Sequence, residues 1–185
     1  RTMLMAVCDP GPAKLDKCAK RWKVGAAYSD YRELLRSEAP EIVSIAAPDE
    51  AHAEILRAAI ESPGMRGVLA EKPLALSAQE ASELVRLARA RGVTLAVNYT
   101  RRFAPGFQRL ATFIRAGGIG EIRALRGAYV RGLRHNASHW IDLARMLGCE
   151  PISARAKKGY DEVGSGLAGD PTVDVELQFA GGARG

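Results

Sequence analysis

The chain is poor in the features that mark several protein classes. It has three cysteines, Cys8, Cys18 and Cys149, an odd number without C-x-x-C spacing, which argues against a disulfide framework and a thiolate metal site. No apolar run reaches the length that spans a membrane, so no membrane partner is expected. Residues 1–7 are too short for a signal peptide. The sequence therefore favours a reducing cytoplasmic setting.

The chain also lacks clustered charge. The net charge is +6, from 27 Lys and Arg against 21 Asp and Glu, but the arginines are dispersed and no run of five or six like charges occurs. Without a basic patch or a recognition motif, we expect no nucleic-acid partner. What the chain has is apolar material for a packed core, since 47% of its residues are hydrophobic.

Strands and helices are predicted to alternate through the first half of the chain. Short apolar segments predict strands at 3–8, 24–28, 41–46, 68–70 and 93–97. Helices are predicted at 13–22, after Asp30, at 49–61 and at 78–91. Apolar strands between amphipathic helices are typical of a parallel, doubly wound α/β sheet covered on both faces.

The pattern changes near residue 99. Helices are predicted at 105–116 and 137–147, strands at 152–158 and 172–179, an alternating extended run at 121–131, and a loop at 159–169. Segregated helices and antiparallel strands indicate an α+β unit. We therefore predict two units, residues 1–98 and residues 99–185, with the boundary at about residue 98.

A charged pair ends the apolar segment at 67–70. Glu71 and Lys72 follow it, then Pro73, and a helix opens at Ser77 with Glu80 three residues later, the spacing of a capping box. Lys72 is thus expected at the carboxyl end of a parallel strand, where open α/β sheets bind ligands. The alternative is a solvated surface lysine.

Two further strand ends carry candidate ligand contacts. Asp9 follows the first strand; a carboxylate there can accept hydrogen bonds from a ribose, although Asp-Pro-Gly-Pro is also ordinary turn chemistry. The segment from Ala46 through Pro48 to His52 opens a helix whose amides suit a phosphate or a ribose. His52 is equally well explained as a capping or surface residue.

His135, His139 and Asp142 are spaced to share one face of a helix. A metal site needs at least a third good ligand, so we predict none. A histidine at a helix start suits acid/base chemistry near neutral pH, and Asp142 could orient His139.

The chain resembles the glucose–fructose oxidoreductase, inositol dehydrogenase and MocA (Gfo/Idh/MocA) family. Five segments, in order along nearly the whole chain, carry the resemblance: Val7–Pro10; Val43–Pro48 with His52; Glu71–Ala75; Asn98–Phe103; and Gly118–Ile122 leading to His139–Leu143. Together they are specific for the family but not for a substrate.

The resemblance implies an oxidoreductase that uses NAD, with NADP as the alternative, on a sugar, cyclitol or related polyol. It makes Lys72 the catalytic lysine and His139 the acid/base histidine. The full set that it implies is as follows: Asp9, Pro10, Ala46, Pro48, His52, Glu71 and Lys72 for the cofactor; Lys72, Tyr99, Arg102, His135 and His139 for the substrate; Lys72, His139 and His135 for catalysis. It also implies that residues 1–98 are a partial dinucleotide-binding domain and residues 99–185 a partial domain for substrate binding and oligomerisation, with a homo-oligomer for the full-length protein.

Two departures from the family pattern leave alternatives open. Many members have an aspartate where this chain has His135, so the acid/base arrangement is either a histidine pair or His139 with Lys72. The glycine-rich G-x-G-x-x-G turn is absent, since the stretches at 117–120 and 164–166 do not open a helix after a strand. We therefore expect a fragment whose first strand corresponds to the second strand of the family's fold. Without the family's first strand, the strands at 3–8 and 42–46 should either be separated by a gap or pair directly with each other. A non-catalytic regulator on the same fold and an inactive fragment are the alternative functions.

Overall fold

The structure, a computed structural model, describes residues 3–160, 169–183 and 185, without the side chains at 158 and 160. The chain divides into two compact units, Arg1–Asn98 and Tyr99–Gly185. Within the described residues, no helix combines the length and the apolar character that crossing a membrane requires.

The first unit alternates strands and helices. Its strands are β1 (Ala6–Cys8), β2 (Ala26–Tyr28), β3 (Ile42–Ile45), β4 (Gly67–Ala70) and β5 (Thr94–Val97). Its helices are α1 (Pro12–Trp22), α2 (Tyr31–Glu38), α3 (Asp49–Glu61) and α4 (Ala78–Ala90). The strand pairs are parallel, as the alternation predicts: β1 with β2, β3 with β4, and β4 with β5.

The core of the first unit lies between the sheet β3–β4–β5 and the helices α3 and α4. Leu56 and Ile60 of α3, Val68 of β4 and Leu84 of α4 are at most 2% exposed. These are the apolar positions of two amphipathic helices and one strand, so burying them is what orders this part of the chain. Because β3, β4 and β5 pair in parallel, their carboxyl ends lie at the same edge of the sheet.

The parallel strands form two separate sheets. β1 pairs with β2, and β3–β4–β5 form the other sheet, so no pairing joins β1 to β3 in the described part of the chain. Ile42 on β3 is 60% exposed. Of the two arrangements expected for these strands, the structure has the gap.

The second unit combines helices with an antiparallel pair of strands. It contains a 3₁₀ turn (Thr100–Phe103), α5 (Pro105–Arg115), a π turn (Leu133–Ala137), α6 (Ser138–Met146), β6 (Pro151–Tyr160) and β7 (Thr172–Phe179). β6 and β7 pair antiparallel. Phe179 and Leu177 of β7 are buried with Ala144 of α6, and Trp140 packs on them. The fold class predicted from the sequence, a parallel α/β unit followed by an α+β unit, is confirmed.

Two local predictions for this unit differ from the structure, and a third falls mostly outside the described residues. The run at 121–131 is not a strand; it contains only an isolated bridge at Ala124. Ile122 and Leu125 nevertheless pack on the second core, so their apolar character is used without a strand ladder. The helix predicted from residue 137 is preceded by the π turn. Of the predicted loop at 159–169, residues 161–168 lie outside the described residues.

Candidate functional site

The loop that carries Lys72 is tied to both neighbouring strands. The Glu71 backbone N–H donates to the Ile45 carbonyl at 2.9 Å, and the Asn98 N–H donates to the Ala70 carbonyl at 2.7 Å. The Asn98 side-chain amide donates to a Glu71 carboxylate oxygen at 2.6 Å. The strand ends of β3, β4 and β5 are thus joined around Lys72, which is half-buried.

His52 of α3 contacts the same loop through a hydrogen bond to its backbone. The ring is fully buried, and its Nδ1 lies 2.7 Å from the Pro73 carbonyl oxygen. Because a carbonyl only accepts, Nδ1 carries the proton of this hydrogen bond. Nε2 is buried and has no hydrogen-bond partner in the described structure. His52 therefore contacts the backbone of the loop, and its ring has no exposed surface in this structure.

The start of the helix after β3 carries negative charge. Ala46 and Pro48 lead into α3, and Pro48 stands at its N-cap without a side-chain hydrogen bond. Asp49 and Glu50 occupy the first turn. Their carboxylates interact favourably with the helix dipole and would repel a phosphate, so this helix start suits a neutral hydroxyl better.

Asp9 ends β1 and begins a turn. One carboxylate oxygen accepts the Gly11 N–H at 2.8 Å, and the Asp9 N–H donates to the Tyr28 carbonyl at 3.2 Å. The second carboxylate oxygen has no hydrogen-bond partner in the described part of the chain. The turn chemistry of Asp-Pro-Gly-Pro thus leaves one oxygen able to accept hydrogen bonds from a ribose diol, which is the fit that an NAD adenosine requires.

In the second unit, Tyr99 and His139 lie together. Their ring centroids are 5.7 Å apart with the planes at 85°, an edge-to-face contact. Burial is the largest cause that raises the pKa of the Tyr99 phenol, and the Ser138 hydroxyl partly opposes it. Tyr99 therefore keeps its proton at neutral pH.

Arg102 is engaged by a carboxylate of the same unit. Its Nε lies 2.7 Å from Asp142 Oδ1, and a terminal guanidinium nitrogen lies 3.5 Å from the Asp142 carbonyl oxygen. By sequence spacing, Asp142 could orient His139, and the family resemblance implies a substrate contact for Arg102. In the structure these two side chains bind each other, because a guanidinium is the stronger partner for a carboxylate.

The π turn and α6 form one continuous helical segment, residues 133–146, which we call the histidine helix because it carries His135 and His139. Its start is held by Asp170, which accepts the Arg134 and His135 backbone N–H groups at 2.8 and 2.9 Å. Sequence reasoning missed Asp170, since no local pattern connects residues 35 positions apart. Among the described residues, no group of three His, Cys, Asp or Glu side chains could hold a metal ion.

These features define a class of protein. It has a Rossmann-type α/β unit with candidate ligand contacts at the carboxyl ends of its strands, followed by an α+β unit. Residues 1–99 match the family described as "Oxidoreductase family, NAD-binding Rossmann fold". The chain belongs to this family, Gfo/Idh/MocA, and the resemblance inferred from the sequence is confirmed.

Individual relatives match most of this chain. The uncharacterized oxidoreductase YrbE of Bacillus subtilis (strain 168) is 30% identical over 197 residues, covering 97% of this chain and 57% of that protein. The D-glucoside 3-dehydrogenase of Escherichia coli (strain K12) is 33% identical over 134 residues, covering 70% of this chain and 38% of that protein. The crystal structure of a levoglucosan dehydrogenase in complex with NADH and levoglucosan has a TM-score of 0.84 at 25% identity, covering 98% of this chain and 56% of that one. The chain thus spans about half the length of the proteins that it matches.

Proposed function

We propose that the whole protein is an NAD-dependent oxidoreductase that transfers a hydride between the nicotinamide and a hydroxyl or carbonyl carbon of a sugar, cyclitol or related polyol. The observation that carries the proposal is the loop of Lys72, which is tied to the ends of β3 and β5 and supported by His52. The relatives that act on a glucoside and on levoglucosan support the class of substrate.

The residues of this chain have distinct roles in the proposal. Nicotinamide, when bound, supplies the hydride acceptor for alcohol oxidation. The Lys72 ammonium group would bind the reacting oxygen and stabilise negative charge that develops on it. His139 would take the hydroxyl proton, with His135 nearby in sequence on the same helix. Tyr99 would pack beside the imidazole rather than act as the base.

The cofactor contacts in the proposal follow from the carboxylates at the strand ends. Glu71 would contact the nicotinamide ribose, and Asp9, next to Pro10, would accept hydrogen bonds from the adenosine ribose. The Asp9 carboxylate would repel a 2′-phosphate, which supports NAD over NADP.

Replacement of Lys72 tests the proposal directly. In the whole protein, Lys72→Met should lower kcat by about a hundredfold or more, the scale measured for one oxyanion-hole donor. Binding of NAD, followed by fluorescence titration, should change little, because the adenosine contacts are elsewhere. Lys20→Met is the matched control: Lys20 is exposed on α1 and pairs with Asp16, so its loss should leave turnover unchanged.

The assay is run on a panel of polyols and sugars with NAD, and again with NADP. A Lys72→Met enzyme that turns over its preferred polyol like the parent would refute the catalytic role. Faster turnover with NADP than with NAD would refute the cofactor assignment, while leaving the Lys72 result to be judged separately.

A further inference from the structure

Asp170 places a buried carboxylate against the start of the histidine helix. It is 5% exposed, and its two oxygens accept hydrogen bonds from consecutive backbone amides, those of Arg134 at 2.8 Å and His135 at 2.9 Å. The Arg134 Nε lies 3.8 Å from the same carboxylate. Burying a carboxylate costs free energy unless it is hydrogen-bonded and paired, and here it is both.

The backbone on both sides of Asp170 is joined to the segment before the histidine helix. The Leu133 N–H donates to the Pro171 carbonyl at 3.1 Å. The Tyr129 hydroxyl donates to the Val173 carbonyl and accepts the Val173 N–H. The segment at 129–135 is therefore held along the start of β7, with Asp170 at the helical end of the contact.

Gly132 permits this close approach. Its φ is +91°, a value that residues with a side chain rarely adopt. A Cβ at this position would lie 2.2 Å from Asp170 Oδ2. The carboxylate can reach the helix start only because no side chain stands in its way.

The position of the carboxylate matches what a helix start needs. The first amides of a helix have no intrahelical acceptor, and the dipole makes this end positive. Asp170 supplies two acceptors and a negative charge to it, from a loop 35 residues further along the chain. Both histidines follow within the next turn or two of the same helix, so their direction depends on how this start is fixed.

We propose that Asp170 is a positioning residue for His135 and His139: by fixing the backbone at 134 and 135 it sets where the two imidazoles project. This inference rests on the proposed function, in which His139 handles the substrate proton. It assigns to Asp170 no contact with substrate or cofactor.

Asp170→Asn tests the inference in the whole protein. An amide keeps the size of the side chain, but its NH₂ group faces an N–H donor and the charge is lost, so one of the two hydrogen bonds fails. We expect kcat to fall by about tenfold to a hundredfold, the cost of roughly 1 Å of misplacement at a reacting group. The KM for NAD should stay near the parent value, because the proposed cofactor contacts are in the first unit.

Glu176→Gln is the matched control. Glu176 lies on β7, six residues further on, and its carboxylate pairs with Lys157 at 3.2 Å, so the substitution removes the same charge from the same part of the chain. Its kcat should equal that of the parent. An Asp170→Asn enzyme with parental kcat, or one in which the KM for NAD rises while kcat is kept, would overturn the positioning role.

Hydrogen exchange supplies a test that needs no variant and no activity. In the parent, the amides of Arg134 and His135 should be protected, and in a folded Asp170→Asn protein they should exchange faster. Exchange of these two amides in the parent at the rate of an open helix end would overturn the inference even if the variant does not fold. If these amides are protected but the Lys72→Met enzyme is fully active, the proposed function is refuted. In that case the contact of Asp170 with the helix start is still supported.

Discussion

At the scale of single residues, His52 decides how firmly Lys72 is held. The sequence left His52 open between a cofactor contact, a cap and a surface residue. In the structure the ring is fully buried, with its Nδ1 on the Pro73 carbonyl. The bond crosses from α3 to the loop after β4, so it fixes the backbone next to the proposed catalytic residue. His52 thereby supports the site through the backbone of the loop.

Removal of the His52 hydrogen bond should destabilise the protein and loosen the loop. His52→Leu leaves the partly buried Pro73 carbonyl without its donor, which costs about 1–3 kcal/mol of the free energy of unfolding. The measurement is urea denaturation of the whole protein, with hydrogen exchange over residues 71–76. His52→Asn, whose amide can still donate, should lose less. Equal stability of the leucine and asparagine variants would show that the bond contributes nothing.

At the scale of elements, α4 shows how a local signal sets the end of the loop. The Ser77 hydroxyl accepts the Glu80 N–H at 3.1 Å, as the capping-box spacing predicts, and α4 begins at the next residue. The loop at 71–76 therefore ends at a fixed point. A helix that frayed here would lengthen the loop that carries Lys72.

Loss of this cap should cost about 1 kcal/mol. Ser77→Ala removes the acceptor for the Glu80 amide and should lower the free energy of unfolding by that amount, whereas Ser77→Asp should retain it. Ser82→Ala is the control on the same helix, because the Ser82 hydroxyl donates back to the Ala78 carbonyl and such bonds do not stabilise helices. A Ser82→Ala loss as large as that of Ser77→Ala would contradict the assignment of the cap.

At the scale of the whole molecule, the division of the parallel strands into two sheets leaves strand edges open to association with other chains. β1 and β3 each pair on one side only within the described residues, and Ile42 adds exposed apolar surface to the β3 edge. Unpaired strand edges with apolar side chains promote association with other chains. The 185-residue chain should accordingly self-associate when it is expressed as given.

A charge on the β3 edge should reduce this association. Ile42→Lys places a cation on the open edge, where it opposes pairing with another strand. Light scattering after gel filtration, over a range of concentrations, should show a smaller mean mass than for the parent chain. Trp22→Lys removes a similarly exposed apolar side chain, 59% exposed on α1, and should have less effect. Equal masses for the parent and Ile42→Lys chains would contradict the role of the edge.

The amino-acid sequence alone determined the features that depend on near neighbours. The alternation of strands and helices, the bounds of α3 at residues 49 and 61 and the cap at Ser77 all follow from apolar periodicity and from contacts within four residues. The same signals located Lys72 at a strand end, and with the motifs they identified the family.

Only the tertiary structure decided the contacts between distant segments. His52 meets Pro73 across 21 residues, Asp170 meets His135 across 35, and Arg102 meets Asp142 across 40. Such pairs leave no periodic trace, because chain folding rather than local preference brings their partners together. For the same reason the run at 121–131 alternates like a strand and is not one: a strand needs a neighbouring backbone to bond with, and the described structure provides only the bridge at Ala124.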